Sequence, residues 1–574
     1  MSKRKKQKQK KRRRLLRWAK ATPKTEVPQP RDFTALVFSL LSFLFLWIAM
    51  PGPGRGHWWL AWPALTPLIW LIHSPSPPHK VLRQVWIASL IFWLVMMHFV
   101  RLPLWPLWFG WLALATYLAV YGPIFVWLSR AMVHRFHIPT VIAAPIVFTG
   151  LEWIRVTFLS GFGLACVSHT QYLSPKTMQI AELFGAYGVT FLIVSVAAAV
   201  SVASSFSRGR ISTQATIPTR IVHAFIAVAV FVGVCGIGTQ QLNSDAQLRK
   251  SAEAHRHPKV ALIQTSIDTV LKQKTFQEAQ EEFLVRCDLT QSALLMSKEL
   301  DLIVWPESSF MWSDFLTDLS PTDTAAMRRQ NQQLAWQAVF GNPSSFGDTV
   351  PLLAGSTTID PQAEEVFNSA LLFDKQGNVD GRYYKIHLVM FGEYFPVVHS
   401  IPILKEFIKG FRSLNEGAEF ARFETDKFSA APNICFESTV PHLIRRQLNA
   451  LEDGGKEVDF LINVTNDGWF FGTSCLDLHL ACNTFRAVET RRPVLVSANT
   501  GLSAHIDEFG RHVQLGPRRK EAELICEVRV PFAKTTVYRQ WGAWVATVMG
   551  WIVALVAIAD VALARKPSEP ELDS

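Results

Sequence analysis

The sequence predicts two units: an α-helical polytopic membrane domain of about eight spans, and a soluble α/β domain inserted before the last span. Three observations carry this prediction. The chain is 49% hydrophobic and only 18% charged, with twenty Trp, thirty-nine Phe and a mean hydropathy of +0.17, a balance that suits a membrane protein. Its apolar residues fall in runs of span length. Between the seventh and eighth runs the pattern changes to short β-rich segments separated by polar turns. At 574 residues the chain exceeds one ordinary domain.

The net charge of +12 would suggest nucleic-acid binding if it were spread over the chain. It sits instead in residues 1–33, where fourteen Lys/Arg face only Glu26 and Asp32; the remaining chain balances 44 basic against 44 acidic residues. No base-reading module follows this tail, so it reads as a cytoplasmic anchor touching anionic lipid, and no nucleic-acid partner is expected. The first apolar run is long enough to span, so no cleavable signal is read there.

Runs of about twenty apolar residues cross a ~30 Å hydrocarbon core as helices. They lie at 34–50, 57–73, 84–100, 105–129, 138–158, 179–204, 220–238 and 541–564. The second contains Pro63 and Pro67 and is the weakest. The predicted organisation is therefore a basic tail (1–33), a seven-helix membrane domain (34–238), an exported catalytic domain (239–540), a C-terminal span (541–564) and a cytoplasmic tail (565–574). The fourteen-charge tail fixes the N-terminus inside, which puts 239–540 on the far side of a bacterial inner membrane, facing the periplasm.

Within 239–540, β-rich runs recur at 259–267, 300–307, 351–358, 369–374, 431–437, 459–467 and 493–501. Helical patterns at 275–299 and 474–490 lie between some of them, and turns at 375–378 and 508–510 read as hairpin connections. This mixture fits a layered α/β sandwich. Seven scattered cysteines, Cys166, Cys235, Cys287, Cys435, Cys475, Cys482 and Cys526, form no disulfide-framework spacing.

Three strand-end signatures hold residues suited to acyl chemistry: Trp305-Pro306-Glu307-Ser308; Tyr384-Lys385-Ile386-His387 with Phe391-Gly392-Glu393-Tyr394; and Asn433-Ile434-Cys435-Phe436-Glu437. In that order they resemble the nitrilase (carbon–nitrogen hydrolase) superfamily, whose triad is Glu, Lys and Cys. Residues 257–535 resemble that whole domain, an αββα sandwich. Seven spans before it and one after it are similar to the apolipoprotein N-acyltransferase family. Leu151-Glu152-Trp153-Ile154-Arg155, Ser160-Gly161-Phe162-Gly163, Glu182-Leu183-Phe184-Gly185 with Gly188, Asn466-Asp467-Gly468-Trp469-Phe470 and Asn499-Thr500-Gly501 resemble further motifs of that family.

The resemblance implies catalytic Glu307, Lys385 and Cys435, supporting Glu393 and Glu437, and substrate contacts at Arg155, Asn466 and Trp469. It implies no cofactor and no metal. A phospholipid would donate an acyl chain to Cys435 as a thioester, and the N-terminal amine of a diacylglyceryl-cysteine lipoprotein would accept it; a monomer is expected. The chemistry suits the residue types: a thiolate is the strong nucleophile, a carboxylate can take its proton, and a fixed ammonium stabilises a developing oxyanion. The alternative is a membrane-tethered amidase acting on a small amide. The apolar stretches Val389–Phe391 and Val397–Leu404, with Phe407, Ile408 and Phe411, read either as flaps dipping into the outer leaflet or as ordinary core.

The chain departs from the family at Phe436, where Tyr is usual, and at Gly163-Leu164, where Pro-Trp is usual. Cys475, His479 and Cys482 share one helical face, a spacing that metal ligands use, but no fourth ligand is evident. His387 reads as a hydrogen-bonded structural histidine. Glu152 and Arg155, three residues apart on one helix, read as partners inside or near the apolar layer.

Overall fold

The computed structural model describes residues 33–103, 105–204, 216–251, 257–269, 275–310, 314–315, 336–340, 349–360, 362–394, 413–453, 455–530 and 535–564. The basic tail, the second apolar stretch (Val397–Leu404 with Phe407, Ile408 and Phe411) and the C-terminal tail lie outside the described residues.

Apolar segments become helices because hydrocarbon offers backbone N–H and C=O groups no other partner. Among the described residues, seven helices of at least 13 residues precede the α/β domain: α1 (Thr34–Ala49), α2 (Pro78–Met96), α3 (Leu107–Ala119), α4 (Tyr121–His134), α5 (Thr140–Thr157), α6 (Ala186–Ala203) and α7 (Ile217–Ser251). A final helix, Trp544–Ala564, follows that domain. Among the described residues, six stretches are long and apolar enough to cross a membrane: Pro78–Met96, Leu107–His134, Thr140–Thr157, Ala186–Ala203, Ile217–Ser244 and Trp544–Leu563.

The expected count of about eight is thus six full-length stretches and two shorter ones. α1 has only sixteen residues. The run at 57–73 is not one helix but four pieces, Trp58–Leu60, Ala61–Ala64, Thr66–Trp70 and Leu71–His73. Pro63 and Pro67 lack the N–H that a continuous helix needs. The broken run is still a core element, with Leu65, Leu68, Ile69, Leu71 and Ile72 buried. Gly150 brings α5 against the final helix, since a Cβ there would stand 2.7 Å from the Met549 carbonyl oxygen.

The α/β domain contains two sheets. In the first, β1 (Lys259–Gln264), β2 (Leu302–Val304) and β4 (Leu352–Asp360) run parallel, β3 (Asp314–Phe315) pairs with β4, and β5 (Glu365–Phe373) and β6 (Val379–Tyr384) continue antiparallel. In the second, β8 (Ser429–Ile434), β9 (Phe460–Thr465) and β10 (Val494–Ala498) are parallel. β7 (Phe423–Glu424), β11 (Ala504–Ile506) and β12 (His512–Leu515) complete it antiparallel, while β13 (Ala522–Glu527) returns to pair with β1. All seven expected β-rich runs contain strands. The fold is the expected helical membrane domain with a nitrilase-like sandwich.

The central strands β1, β2, β9 and β10 are apolar on both faces because both faces are covered. Between the sheets, Val260, Leu262, Val304 and Leu372 meet Ile434, Ile462, Val464 and Leu495. Outside the first sheet lies α8 (Phe276–Met296), which contributes Phe283, Cys287 and Leu294. Outside the second lie α9 (Pro441–Leu451) and α10 (Cys475–Thr490). All sixteen residues of α10 are buried, because its far side rests on the membrane domain. Leu476, Phe485 and Val488 therefore share one apolar core with Leu65, Met178 and Ile193.

Candidate active site

Strand ends bring the three candidate residues together. Trp305 and Pro306 follow β2; the indole is fully buried and donates to Thr290 Oγ1 of α8 (2.9 Å), which fixes the turn carrying Glu307. Glu307 accepts hydrogen bonds from Asn368 Nδ2 (2.7 Å) and the Asn466 N–H (2.8 Å). Lys385 follows β6, is 1% exposed, and sets its Nζ 2.7 Å from Glu393 Oε1 and 3.7 Å from Glu307 Oε1. Asn368 on β5 bridges the two carboxylates, donating also to Glu393 Oε1 (3.1 Å). Cys435 begins the turn after β8 with φ +52°, a left-handed conformation that costs a non-glycine residue energy and marks a strand-to-helix corner.

Electrostatics follow from this geometry. Burial pushes the Glu307 carboxyl above its ordinary value and Glu393 adds to the rise, while Lys385 pulls it down. Burial works against the Lys385 charge, but Glu393 and Glu307 outweigh it and hold the ammonium above its ordinary value. The Cys435 thiol is pushed well up by burial and by the Glu307 charge, with Lys385 opposing. The group is therefore a resting thiol beside a carboxyl whose proton affinity is raised, next to a cation.

Glu437 closes the Cys435 turn. Its fully buried carboxylate accepts from the N–H groups of Ile434 (2.7 Å), Ile386 (2.8 Å) and His387 (3.0 Å), and from the Tyr383 hydroxyl (2.9 Å). It thereby ties the end of β6 to the end of β8. Glu393 is held likewise, accepting from the Val389 N–H (2.8 Å). In the same segment Phe391 is 53% exposed with φ +63°, so its ring is not part of a core.

The expected substrate contacts sit differently from one another. The Asn466 side chain accepts from Thr269 Oγ1 (2.9 Å), Asn499 Nδ2 (2.9 Å) and the Gly468 N–H (3.1 Å), so it braces loops while its backbone holds Glu307. Trp469 is half-buried in the turn Asp467–Phe470, and the neighbouring Phe470 meets Phe99 of the membrane domain edge-on at 5.4 Å. Arg155 is 4% exposed rather than open at a surface. Its guanidinium donates to the Leu164 carbonyl (2.9 Å), lies 3.7 Å from Glu152 and stands over Trp93. Glu152 is also bonded by the Val167 N–H and Thr190 Oγ1. The pair thus shapes the loop 158–166 from within.

That loop touches the Cys435 turn. His387 stacks on Phe436 and bonds to the Ser160 backbone, and a Cβ on Gly163 would stand 2.1 Å from the Thr439 carbonyl oxygen. Gly163→Ala must therefore displace either the loop or the turn. Since misplacing reacting groups by ~1 Å can cost on the order of 100-fold, we expect at least a tenfold slower acylation of Cys435. The check is single-turnover labelling. Farther along, Arg491 bonds to Glu182 (2.6 Å) and Gln179 (2.8 Å), and Glu489 accepts from the Ala186 N–H (2.8 Å). The Glu182-to-Gly188 motif is the joint between the two domains; Gly185, at φ +68°, leaves no room for a Cβ beside Tyr538.

Three participants were not read from the sequence. Asn368, beside Ser369 in the otherwise apolar centre of β5, is a polar side chain in a buried strand, which is a usable signal. Asn463, which donates to Asn433 Oδ1 and to the Cys435 carbonyl, looked like an ordinary strand residue. His479 was read only as part of the possible metal face with Cys475 and Cys482. Its two ring nitrogens instead face Asp467 and the Cys435 carbonyl, while Cys482 Sγ lies 3.9 Å from His169.

Residues 35–199 match the family profile described as apolipoprotein N-acyltransferase N-terminal domain, and residues 259–565 match carbon-nitrogen hydrolase. The chain is 31% identical to the apolipoprotein N-acyltransferase of Geobacter metallireducens over 92% of its own length and 96% of the relative's. It is 28% identical to that of Rhodopirellula baltica over 88% and 93%. Among solved structures, Saccharomyces cerevisiae Nit3 of the nitrilase superfamily covers 50% of the chain, with 94% of its own length matched, at 16% identity and a TM-score of 0.34.

Proposed function

The chain belongs to the apolipoprotein N-acyltransferase family, and from that premise we propose that Cys435, Glu307 and Lys385 transfer an acyl chain from a phospholipid to a lipoprotein amine. The observation that carries the proposal is Lys385, buried between Glu307 and Glu393 beside the strained Cys435 turn.

In the first half-reaction Glu307 takes the thiol proton as sulfur attacks the ester carbonyl carbon of the phospholipid. The Lys385 ammonium offsets the negative charge that develops on the carbonyl oxygen, a contribution of about 3 kcal/mol in comparable sites. The C–O bond then breaks, Glu307 returns the proton to the departing glycerol oxygen, and a thioester and a lysophospholipid remain. In the second half-reaction the lipoprotein's α-amine attacks the thioester carbon. Glu307 accepts a proton from that amine and passes it to sulfur as the C–S bond breaks, leaving an amide. Glu393 and Glu437 support this sequence by fixing Lys385 and the turn. Asn466 positions Glu307, Trp469 is left as a substrate contact, and Arg155 acts through the loop it shapes.

Both substrates reside in a bilayer, which gives the apolar core shared between the domains a purpose. The basic tail supports an orientation with 239–540 outside the cytoplasm, in an inner membrane.

The test is incubation of the purified protein with acyl-labelled phospholipid. A hydroxylamine-sensitive label on Cys435 that chases to a lipoprotein peptide is the expected result. Transfer that survives Cys435→Ala, or turnover of soluble amides with no acyl donor, would overturn it.

A further inference from the structure

A second charged unit lies behind the nucleophile. His479, on α10, is buried with Nδ1 3.1 Å from Asp467 Oδ1 and Nε2 2.9 Å from both the Cys435 carbonyl oxygen and Ser438 Oγ. A carbonyl oxygen only accepts, and so does a carboxylate. The two nitrogens can satisfy both partners only if each carries a proton. In a neutral ring with Nε2 accepting from Ser438, the Nε2 lone pair would face the Cys435 carbonyl at the same 2.9 Å. We propose that His479 is held as an imidazolium by Asp467 and is a positioning residue for the nucleophile, clamping the Cys435 carbonyl and cancelling the Asp467 charge behind the thiol.

Two consequences for the reaction follow. The clamp, shared with Asn463 Nδ2 at 3.2 Å, holds a carbonyl at the one residue of the turn with φ +52°. The charge acts on the sulfur, because Asp467 is among the carboxylates that drive the thiol upward, after Glu307. Paired with an imidazolium, Asp467 presents almost no net charge to the thiolate. The charged and titratable groups facing the ring are Asp467 from the turn after β9, Glu307 from the end of β2 and Cys435 from the end of β8. Cys475 lies on its own helix, Lys385 beyond Cys435, and His169 reaches the same helix farther on, at Cys482. Burial disfavours the imidazolium, but Asp467 and the Cys435 carbonyl outweigh it and hold the ring above its ordinary value.

The inference rests on Cys435 being the nucleophile, but its test reads sulfur ionisation rather than transfer, so the two can fail separately. Full-length protein in detergent is alkylated with iodoacetamide across pH, and Cys435 modification is followed by peptide mass spectrometry. His479→Gln keeps an N–H donor for the carbonyl but removes the positive charge. The expected result is a profile shifted about one unit upward, or tenfold slower alkylation below the thiol pKa. The double variant His479→Gln with Asp467→Asn removes both charges and should restore most of the profile, although it disturbs the structure more. A purely structural role predicts the opposite order, with the double variant worse. An unshifted single variant, or a double variant shifted as far as the single one, overturns the proposal. Should the variants not fold, ring 15N shifts of His479 in the native protein decide: both nitrogens are expected to be protonated at pH 7.5, and a bare nitrogen overturns it.

Discussion

Lys385→Met is expected to slow acylation of Cys435 by about 100- to 1,000-fold, the cost typical of removing one oxyanion-stabilising group. The same substitution leaves Glu307 and Glu393 buried together without their cation. Stripping one partner from a buried ionic set costs about 3–5 kcal/mol when the remaining charge persists. Here the sign of the pH dependence is fixed by the direction of the Glu307 shift. Its folded value already lies above the unfolded one, so the protonated form is favoured on folding. Stability from this group is complete below the unfolded value and is lost as pH rises through the folded value. Lys385 limits that rise, and without it the folded value climbs further. The variant should therefore lie close to the parent in thermal inactivation at pH 5 and well below it at pH 8. An unaltered acylation rate, or an equal deficit at both pH values, would remove Lys385 from this role.

Glu437→Ala should be the most damaging single change to the folded α/β domain. It leaves three backbone N–H groups and the Tyr383 hydroxyl buried without an acceptor. Each unmet group costs about 1–3 kcal/mol, so the sum is several times the ~1 kcal/mol of an average substitution. The damage is also directed, because this carboxylate receives hydrogen bonds both from the segment leading out of β6 and from the end of β8. Protein that still folds should have lost the registration of Lys385 with Cys435 and acylate slowly even at low temperature. Limited proteolysis of 257–530, run beside single-turnover labelling, reads both effects; normal protection with a normal rate would contradict the assignment.

Much of this was legible from periodicity. The β-rich runs and the two long helical patterns lie where they were expected, because strands covered on both faces read as continuous apolar stretches whatever packs on them. Glu307, Lys385 and Cys435 were legible as residue types placed at strand ends in a familiar order. What the sequence did not show were contacts set by three-dimensional closure. Arg155 was legible as a partner of Glu152 and as an implied substrate contact, yet nine residues on, the chain turns back and presents the Leu164 carbonyl to it. His479 shares one helical face with Asn483 and Arg486, but that helix is buried on every side, so its polar stripe does not mark which neighbour His479 meets. The break in 57–73 could be anticipated from Pro63 and Pro67. That its pieces would be buried more deeply than many intact spans could not, since hydropathy does not separate lipid-facing from protein-facing apolar residues.

The burial of α10 on every side has a consequence for how such a molecule could arise or be taken apart. A sandwich standing alone in water needs a polar surface on the outer side of this helix. Here Leu476, Phe485 and Val488 would become an exposed apolar slab once the membrane half was removed. The two halves look separable along the chain but are not interchangeable parts. Parting them would leave each half with an apolar face that water cannot cover, so the two are expected to hold their folds only together.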